Sequence, residues 1–219
     1  AHLHTHLAEH RREVAWVREL FPAARSYLDV YDAAGLLGER SIFAHCIHLE
    51  DADWTRLAAA GGRIAFAPTA NLFLGSGLFD YGRAREAGVP VGLGTDVGAG
   101  TSFSLLRTGA EAHKVAALNG RPLPGPTLLD LATRAGAEAL GLSDRIGAIA
   151  PGMEADLVVL DPSATPLTRR RTQDATPSET LFALFTLGDD RHVASTYVAG
   201  RCCHSVTPTG MPSTAAPGF

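Results

Sequence analysis

The chain has 219 residues, a formal net charge of −4, 46% hydrophobic residues and 19% charged residues. This composition is typical of globular proteins, and the length is sufficient for a sizeable core. Acidic and basic residues are interspersed, no apolar run reaches membrane-spanning length and no signal peptide is recognisable, so we expect neither a nucleic-acid nor a membrane partner. The three cysteines, Cys46, Cys202 and Cys203, form an odd and sparse set that favours the reducing cytoplasm over a disulfide framework.

The first ten residues alternate like a β-strand through His2, His4 and His6, and a charged, helix-like stretch begins at Arg11. His6 is therefore predicted at the carboxyl end of a strand, with Glu9 in the following loop or first helical turn. An imidazole with a carboxylate close behind it provides a metal ligand and a general acid/base, which metal-assisted hydrolysis requires. A His-rich terminus left by a tag is the alternative interpretation, and these ten residues alone do not decide between the two.

The rest of the chain alternates between short apolar strands and helices with apolar periodicity. Helices are predicted over residues 13–20, 27–37, 51–60, 81–87, 104–118 and 127–140, and further strands over residues 41–44, 64–67 and 89–94. Four buried strands that alternate with helices predict an α/β fold with a parallel sheet.

Polar residues follow these strands at their carboxyl ends. His6, His45 and Asp96 come at or just after the ends of three strands, and the remaining strand ends in a predicted loop, residues 67–71, that contains Asn71. In a βα barrel such strand ends converge on the active site. A structural histidine or a helix cap would explain each position alone, but four positions in four consecutive βα units favour a common site.

The predicted site is incomplete. His6 and Asp96 supply two metal ligands, and His45 supplies either a third ligand or a residue beside the metal, whereas catalytic zinc sites normally have at least three protein ligands and an open position for water. Four βα units are also half of an eight-stranded barrel. Because the sequence opens in a strand pattern without an initiator methionine, we expect an N-terminal half that lies outside it.

Four motifs at the strand ends carry a resemblance to a known family. They are Thr-His-Leu-Ala-Glu at residues 5–9, Phe-Ala-His-Cys at 43–46, Ala-Pro-Thr-Ala-Asn-Leu-Phe-Leu-Gly-Ser-Gly at 67–77 and Gly-Leu-Gly-Thr-Asp at 92–96. Together they resemble the metal-dependent amidohydrolase superfamily, aminohydrolase branch, from residue 1 to about residue 201. The stretches 71–79, 101–107, 111–114 and 186–191 are most similar to bacterial members that deaminate guanine.

The resemblance implies the C-terminal half of a (β/α)8 TIM-type barrel, strands five to eight, over residues 1–143. Residues 144–204 would form part of a small β-sandwich with a connecting helix, and residues 205–219, rich in Pro, Ser, Thr and Gly, are predicted as a disordered tail. The implied activity is zinc-dependent hydrolysis of guanine to xanthine and ammonia, with one zinc ion per active site, in a cytoplasmic enzyme that is a homodimer when full length.

Residue roles are implied by the matching motif positions. His6 and Asp96 match metal ligands, and Asp96 also accepts a proton from the attacking water. Glu9 matches the carboxylate that carries a proton to the purine ring. His45 matches a histidine close to the attacking water and the substrate, and Asn71 is a candidate substrate-binding residue. The remaining ligands are expected from a His-x-His pair on a first strand that this sequence does not contain.

Two departures from the family pattern leave alternatives open. His2 and His4 have the His-x-His spacing but lie on the fifth-strand segment, so we do not assign them as that pair, although a ligand role for His4 stays open. Ala70 stands where the family usually has serine. That position either contacts the substrate, in which case the change bears on substrate specificity, or only caps the loop.

Other functions are consistent with the same motifs. The chain could belong to a deaminase or chlorohydrolase acting on an adenosine-like, pyrimidine or triazine substrate, or it could be an inactive fragment, because the first-strand ligands are missing. The cytidine-deaminase class is excluded, because its Cys-x-x-Cys ligand motif is absent from the sequence.

The region after residue 144 has a different pattern. Pro151-Gly152 indicates a turn before a strand that ends at Asp161, and residues 195–200 form a further strand, followed by a turn at Gly200-Arg201. Between these strands, the basic cluster at residues 169–171 is predicted to lie in a solvated loop, and residues 180–187 form an apolar helix that packs on the barrel or in a dimer contact.

Overall fold

The computed structural model describes residues 2–206. Within them, a parallel sheet contains four strands in the order in which they occur in the chain. These strands are β1 (Leu3–Leu7), β2 (Ser41–His45), β3 (Arg63–Phe66) and β4 (Val91–Leu93). The α/β class predicted from the alternating pattern is therefore confirmed.

Helices follow each strand of the parallel sheet. They are α1 (Arg11–Leu20), α2 (Tyr27–Ala33), α3 (Asp51–Ala59), α4 (Pro68–Phe73), α5 (Tyr81–Glu86), α6 (Leu105–Leu118), α7 (Gly125–Ala132) and α8 (Arg134–Leu140). The chain then forms an antiparallel sheet and two helices, namely β5 (Leu157–Leu160), α9 (Pro166–Thr172), α10 (Pro177–Leu187), β6 (Val193–Val198) and β7 (Arg201–Ser205). A short 3-10 turn, Asp190–His192, precedes β6.

The core lies between the parallel sheet and the helices that follow its strands. All five residues of β2 are buried, and Phe66 of β3 packs against Phe79, with ring centroids 4.7 Å apart. Helix α10 closes one side of this core: a Cβ at Gly109 of α6 would lie 2.5 Å from Phe185 Cδ1, so the missing side chain permits the two helices to approach closely. The apolar helix predicted at residues 180–187 thus packs on the region that contains the parallel sheet.

Three predicted elements differ in the structure. The loop predicted at residues 67–71 is helix α4, because Pro68 occupies its first turn, where proline needs no amide partner. The helix predicted over 127–140 breaks at Thr133, whose hydroxyl donates to Leu129 O at 2.6 Å. The helix predicted over 27–37 ends at Ala33, since Gly35 adopts a φ of +69° that a helix does not accommodate.

The C-terminal region departs from prediction in two further places. Residues 169–171 are exposed as predicted, but they belong to helix α9 and not to a loop. The turn predicted at Gly200-Arg201 lies one residue earlier, at Ala199-Gly200, where both residues have positive φ. Arg201 therefore begins β7, and Ser205 of the predicted tail is its last residue; residues 207–219 of that tail lie outside the described residues.

No helix among the described residues is long and apolar enough to cross a membrane.

Replacement of Phe66 tests the packing of this core. Phe66 is fully buried, whereas Phe103 is 83% exposed. Phe66→Ala should lower the free energy of unfolding by about 3–5 kcal/mol, because it removes a buried ring and leaves a cavity. The matched control, Phe103→Ala, should change it by less than about 0.5 kcal/mol. Urea denaturation measures both values, and equal losses in the two variants would contradict the described core.

Candidate active site

The parallel register brings the chemically active side chains to one edge of the sheet. Leu7 pairs with His45 and His6 with Ala44, so the carboxyl ends of β1 and β2 are adjacent. The imidazole rings of His6 and His45 stack with their centroids 5.2 Å apart and an interplanar angle of 15°. Asp96 follows β4 by three residues and reaches the same place.

Three side chains at this edge form a cluster of metal-ligand type. One ligand atom from each of His6, His45 and Asp96 lies within 4.8 Å of the others. His45 Nε2 is buried and has no hydrogen-bond partner among the described residues, and it lies 3.8 Å from Asp96 Oδ2. Two imidazoles and a carboxylate are a donor set that zinc accepts. An unpartnered buried nitrogen within such a set fits a zinc ion held by these residues.

Asn71 supports His45 from the opposite side of the ring. Asn71 lies on α4, and its Oδ1 is 2.8 Å from His45 Nδ1; both residues are fully buried. Asn71 Nδ2, in contrast, is buried without a partner among the described residues.

Glu9 is held at the same site by contacts to its side chain and to its backbone. Its Oε1 accepts a hydrogen bond from Ser76 Oγ at 2.8 Å, and its Oε2 lies 3.6 Å from His45 Nε2. The Glu9 backbone amide donates to Glu13 Oε2 at 2.9 Å, and Tyr27 donates to the other oxygen of Glu13 at 2.9 Å. The carboxylate of Glu9 therefore faces the cluster while Glu13 fixes the turn that carries it.

The backbone at this edge is strained. Within the described residues, five non-glycine residues have positive φ, and four of them are at the site: Ala8 (50°), His45 (73°), Cys46 (52°) and Asp96 (49°). Such conformations are sparsely populated and cluster at functional sites, where the surrounding structure imposes them. Here they occur where β1 and β2 end and in the loop that follows β4.

Burial separates Cys46 from the site chemistry. Its thiol is fully buried in the core, and burial raises its pKa well above the usual value. A neutral, buried thiol is a packing group and not a nucleophile.

All five residues predicted for the site, His6, Glu9, His45, Asn71 and Asp96, meet at this edge of the sheet. The metal-type cluster includes neither His2 nor His4. The roles of the five site residues in catalysis and binding remain predictions.

The contacts of two supporting residues, Ser76 and Tyr31, are not predicted from the sequence. Ser76 contacts Glu9 across 67 sequence positions, and Tyr31 donates to the backbone oxygen of His6 at 3.0 Å. Ser76 lies between two glycines, both with positive φ, which indicate a tight loop but not its partner. Nothing in the sequence pattern signals the Tyr31 contact.

Comparison with known proteins identifies the family to which the chain belongs. Residues 1–203 match the amidohydrolase family, and the chain belongs to that family. It is 50% identical over 200 residues to guanine deaminase of Escherichia coli and 44% identical over 200 residues to a probable guanine deaminase of Deinococcus radiodurans. These alignments cover 91% and 90% of this chain but only 46% of each relative, so the chain spans less than half the length of the curated relatives it matches.

The fold of the chain is also similar to the solved structures of two deaminases. The structure of E. coli guanine deaminase matches with a TM-score of 0.93 and 48% identity, covering 94% of this chain and 49% of that one. An adenosine deaminase of Xanthomonas campestris with bound zinc matches with a TM-score of 0.80 and 30% identity, covering 93% of this chain and 45% of that one.

Tyr27 provides a test of the turn that carries Glu9. Burial, reinforced by the nearby Glu13 carboxylate, raises the pKa of Tyr27 well above its usual value of 10.0. The folded chain thus keeps the phenol neutral at pH values where the unfolded chain ionises it. The resulting stabilisation is complete below about pH 10 and is lost as the pH rises above that value.

Tyr27→Phe keeps the ring but removes the hydroxyl. We expect it to cost about 1 kcal/mol at neutral pH through the lost hydrogen bond and to reduce the loss of stability between about pH 9 and about pH 11. Urea unfolding of both proteins at the two pH values measures this difference, since the other alkaline groups are common to both. Identical pH dependence would contradict the described environment of Tyr27.

Proposed function

We propose that this chain carries part of the active site of a zinc-dependent guanine deaminase, which hydrolyses guanine to xanthine and ammonia. The observation that carries the proposal is the convergence of four side chains at one edge of the sheet, those of His6, His45, Asp96 and Glu9. The chain is also 50% identical to E. coli guanine deaminase over 91% of the length of this chain. The substrate is a small purine. As in the sequence-based expectation, we propose a homodimer for the full-length enzyme.

We further propose that residues 1–143 are half of a (β/α)8 barrel. The four parallel strands form an open sheet in the described residues, and β1 and β4 are its edges. Helix α1 buries none of its residues, and Trp16 on it is 62% exposed. An open parallel sheet and a helix that exposes apolar side chains such as Trp16 are surfaces that further βα units would cover.

Residues 144–204 are proposed to be part of a small β-sandwich. Strands β5, β6 and β7 form a single antiparallel sheet. Val158 and Val159 of β5 are 58% and 47% exposed, so apolar side chains remain uncovered on both faces of this strand. A second sheet packed on one face would bury such side chains.

His6 and Asp96 are the residues that would hold a zinc ion, with His45 beside them. When bound there, zinc lowers the pKa of a coordinated water molecule from about 15.7 to about 7 and so supplies hydroxide at neutral pH. Further ligands are proposed to come from a His-x-His pair outside this chain, because catalytic zinc sites normally have at least three protein ligands.

In the proposed reaction, each proton transfer is carried out by a particular side chain of this chain. Asp96 accepts the proton that the attacking water loses as its oxygen bonds to C2 of guanine. Glu9 delivers a proton to a ring nitrogen. It then recovers a proton from the hydroxyl on the tetrahedral carbon as that oxygen becomes the carbonyl of xanthine, while the amino group takes the proton held by Asp96 and leaves as ammonia. His45 Nε2 accepts a hydrogen bond from the hydroxyl on the tetrahedral carbon. General acid/base assistance of this kind contributes about 10²- to 10⁴-fold to rate.

The proposed function is tested on a chimera. The N-terminal part of E. coli guanine deaminase that this chain does not match would be joined to residues 1–219, and ammonia release from guanine, adenosine, cytosine and a triazine would be compared. We expect bound zinc and turnover of guanine, and we expect the 219-residue chain alone to retain little zinc and to be inactive. Preference for adenosine or another substrate would replace the proposal with the corresponding aminohydrolase, and a folded, zinc-loaded chimera without turnover would refute deaminase function.

Glu9→Gln in the same chimera isolates the proton carrier. The amide keeps an acceptor for Ser76 but cannot carry a proton, so turnover should fall by about 10²-fold or more while zinc content is unchanged. Glu19→Gln, the same change at an exposed position of α1, should leave both quantities unaffected. Metal analysis and steady-state kinetics check the two variants, and near-normal turnover after Glu9→Gln would exclude the proposed role.

A further inference from the structure

We propose that Asn71 is a positioning residue that fixes the tautomer of His45, with the proton on Nδ1 and a lone pair on Nε2. This inference rests on the proposed function only for its consequence in the reaction, since the tautomer itself is a property of the free chain. It gives Asn71 a role different from direct substrate binding.

The contact between the two side chains determines where the proton lies. His45 Nδ1 is 2.8 Å from Asn71 Oδ1, and an amide oxygen can only accept a hydrogen bond. In this orientation of the Asn71 amide, His45 Nδ1 donates. A neutral imidazole has a single N–H, so Nε2 is left unprotonated.

The other ring nitrogen has surroundings that fit a free lone pair. His45 Nε2 is buried without a hydrogen-bond partner among the described residues, and the nearest carboxylate oxygens, on Glu9 and Asp96, lie 3.6 and 3.8 Å away. These distances are too long for direct hydrogen bonds. Nε2 is thus available to accept a hydrogen bond from a hydroxyl or to bind a metal ion.

The fold fixes the position of Asn71 through its backbone. Its amide donates to Ala67 O at 3.0 Å in the first turn of α4, and its carbonyl accepts from Ser76 N at 2.9 Å. Thr69 of the same helix donates to Thr95 O at 3.3 Å, which ties α4 to the loop after β4. The amide oxygen is therefore presented to His45 by an element anchored at both sides of the site.

His45 is equally constrained. Its backbone φ of 73° directs the side chain out of β2, and its ring stacks on His6. A side chain held on its face and at Nδ1 has little freedom to exchange the roles of its two nitrogens. Asn71 therefore prepares His45 as an acceptor before substrate arrives, as the proposed contact with the tetrahedral hydroxyl requires.

Nitrogen-15 NMR of the 219-residue chain tests the assignment directly. Two-bond nitrogen–proton correlations distinguish protonated from unprotonated imidazole nitrogens. The sample is treated with a chelator and measured at about pH 8.5, above the ordinary pKa of a free imidazole. The His45 signals are identified by their disappearance in His45→Gln. We expect the Nδ1–H form for His45 in the unmodified chain; the Nε2–H form there would overturn the proposal.

Three variants separate the acceptor role from a merely structural one. Asn71→Ala should lower the ratio of Nδ1–H to Nε2–H forms about fivefold or more, the factor that corresponds to one hydrogen bond. Asn71→Asp, which keeps an acceptor oxygen, should restore the ratio. Asn119→Ala is the matched control, because Asn119 donates to Phe79 O at 3.0 Å and does not contact His45; it should leave the ratio unchanged.

The outcomes are distinguishable from those of the guanine assay. An unchanged ratio in folded Asn71→Ala, or a failure of Asn71→Asp to restore a lowered ratio, overturns the positioning role. If Asn71→Ala does not fold, the unmodified chain and Asn71→Asp still decide, because both must show the Nδ1–H form. An inactive chimera alongside the expected tautomer refutes the deaminase proposal and leaves the tautomer assignment intact.

Discussion

The parallel pairing of β1 to β4 is the constraint on which the candidate site depends. In a parallel sheet all carboxyl ends lie at the same edge, so residues distant in sequence become neighbours without any further folding information. The pairing of Leu7 with His45 places the ends of β1 and β2 together, and that of Phe66 with Leu93 does the same for β3 and β4. A shift by one residue would move the buried side chains of a strand to the opposite face of the sheet.

Strain at the strand ends is compensated locally by backbone hydrogen bonds. Cys46 N donates to Leu7 O and His48 N donates to Ala8 O, each at 2.9 Å, so the residues with positive φ lie inside a bonded ladder between two strand ends. Positive φ costs of order 1–3 kcal/mol per residue outside glycine, and these two hydrogen bonds hold the ends of β1 and β2 together in that conformation. The direction of the His45 side chain is consequently a property of the fold and not of a flexible loop.

The local sequence pattern predicts the strands and the site residues at their ends. It does so because an apolar run and the polar residue that follows it lie within a few positions of each other in the sequence. The pattern predicts a loop in place of the short helix α4, because Pro68 ends a strand pattern, although proline also begins helices. The break at Thr133 depends on a side-chain hydrogen bond that apolar periodicity does not reveal. Ser76 was missed as a partner of Glu9 because a contact across 67 positions is set by tertiary packing, and periodicity carries no information about such pairs.

The site has a fixed half and an accessible half. His45 and Asn71 are fully buried and bonded to each other, while the side chains of Glu9 and Asp96 are 16% and 28% exposed and His6 lies open to solvent. In the described residues, His6, Glu9 and Asp96 thus lie on the solvent side of the cluster, and His45 Nε2 is its most deeply buried nitrogen. Because positioning groups contribute most when they are ordered before binding, the buried pair is the part of the site best suited to set the orientation of whatever the exposed residues bind.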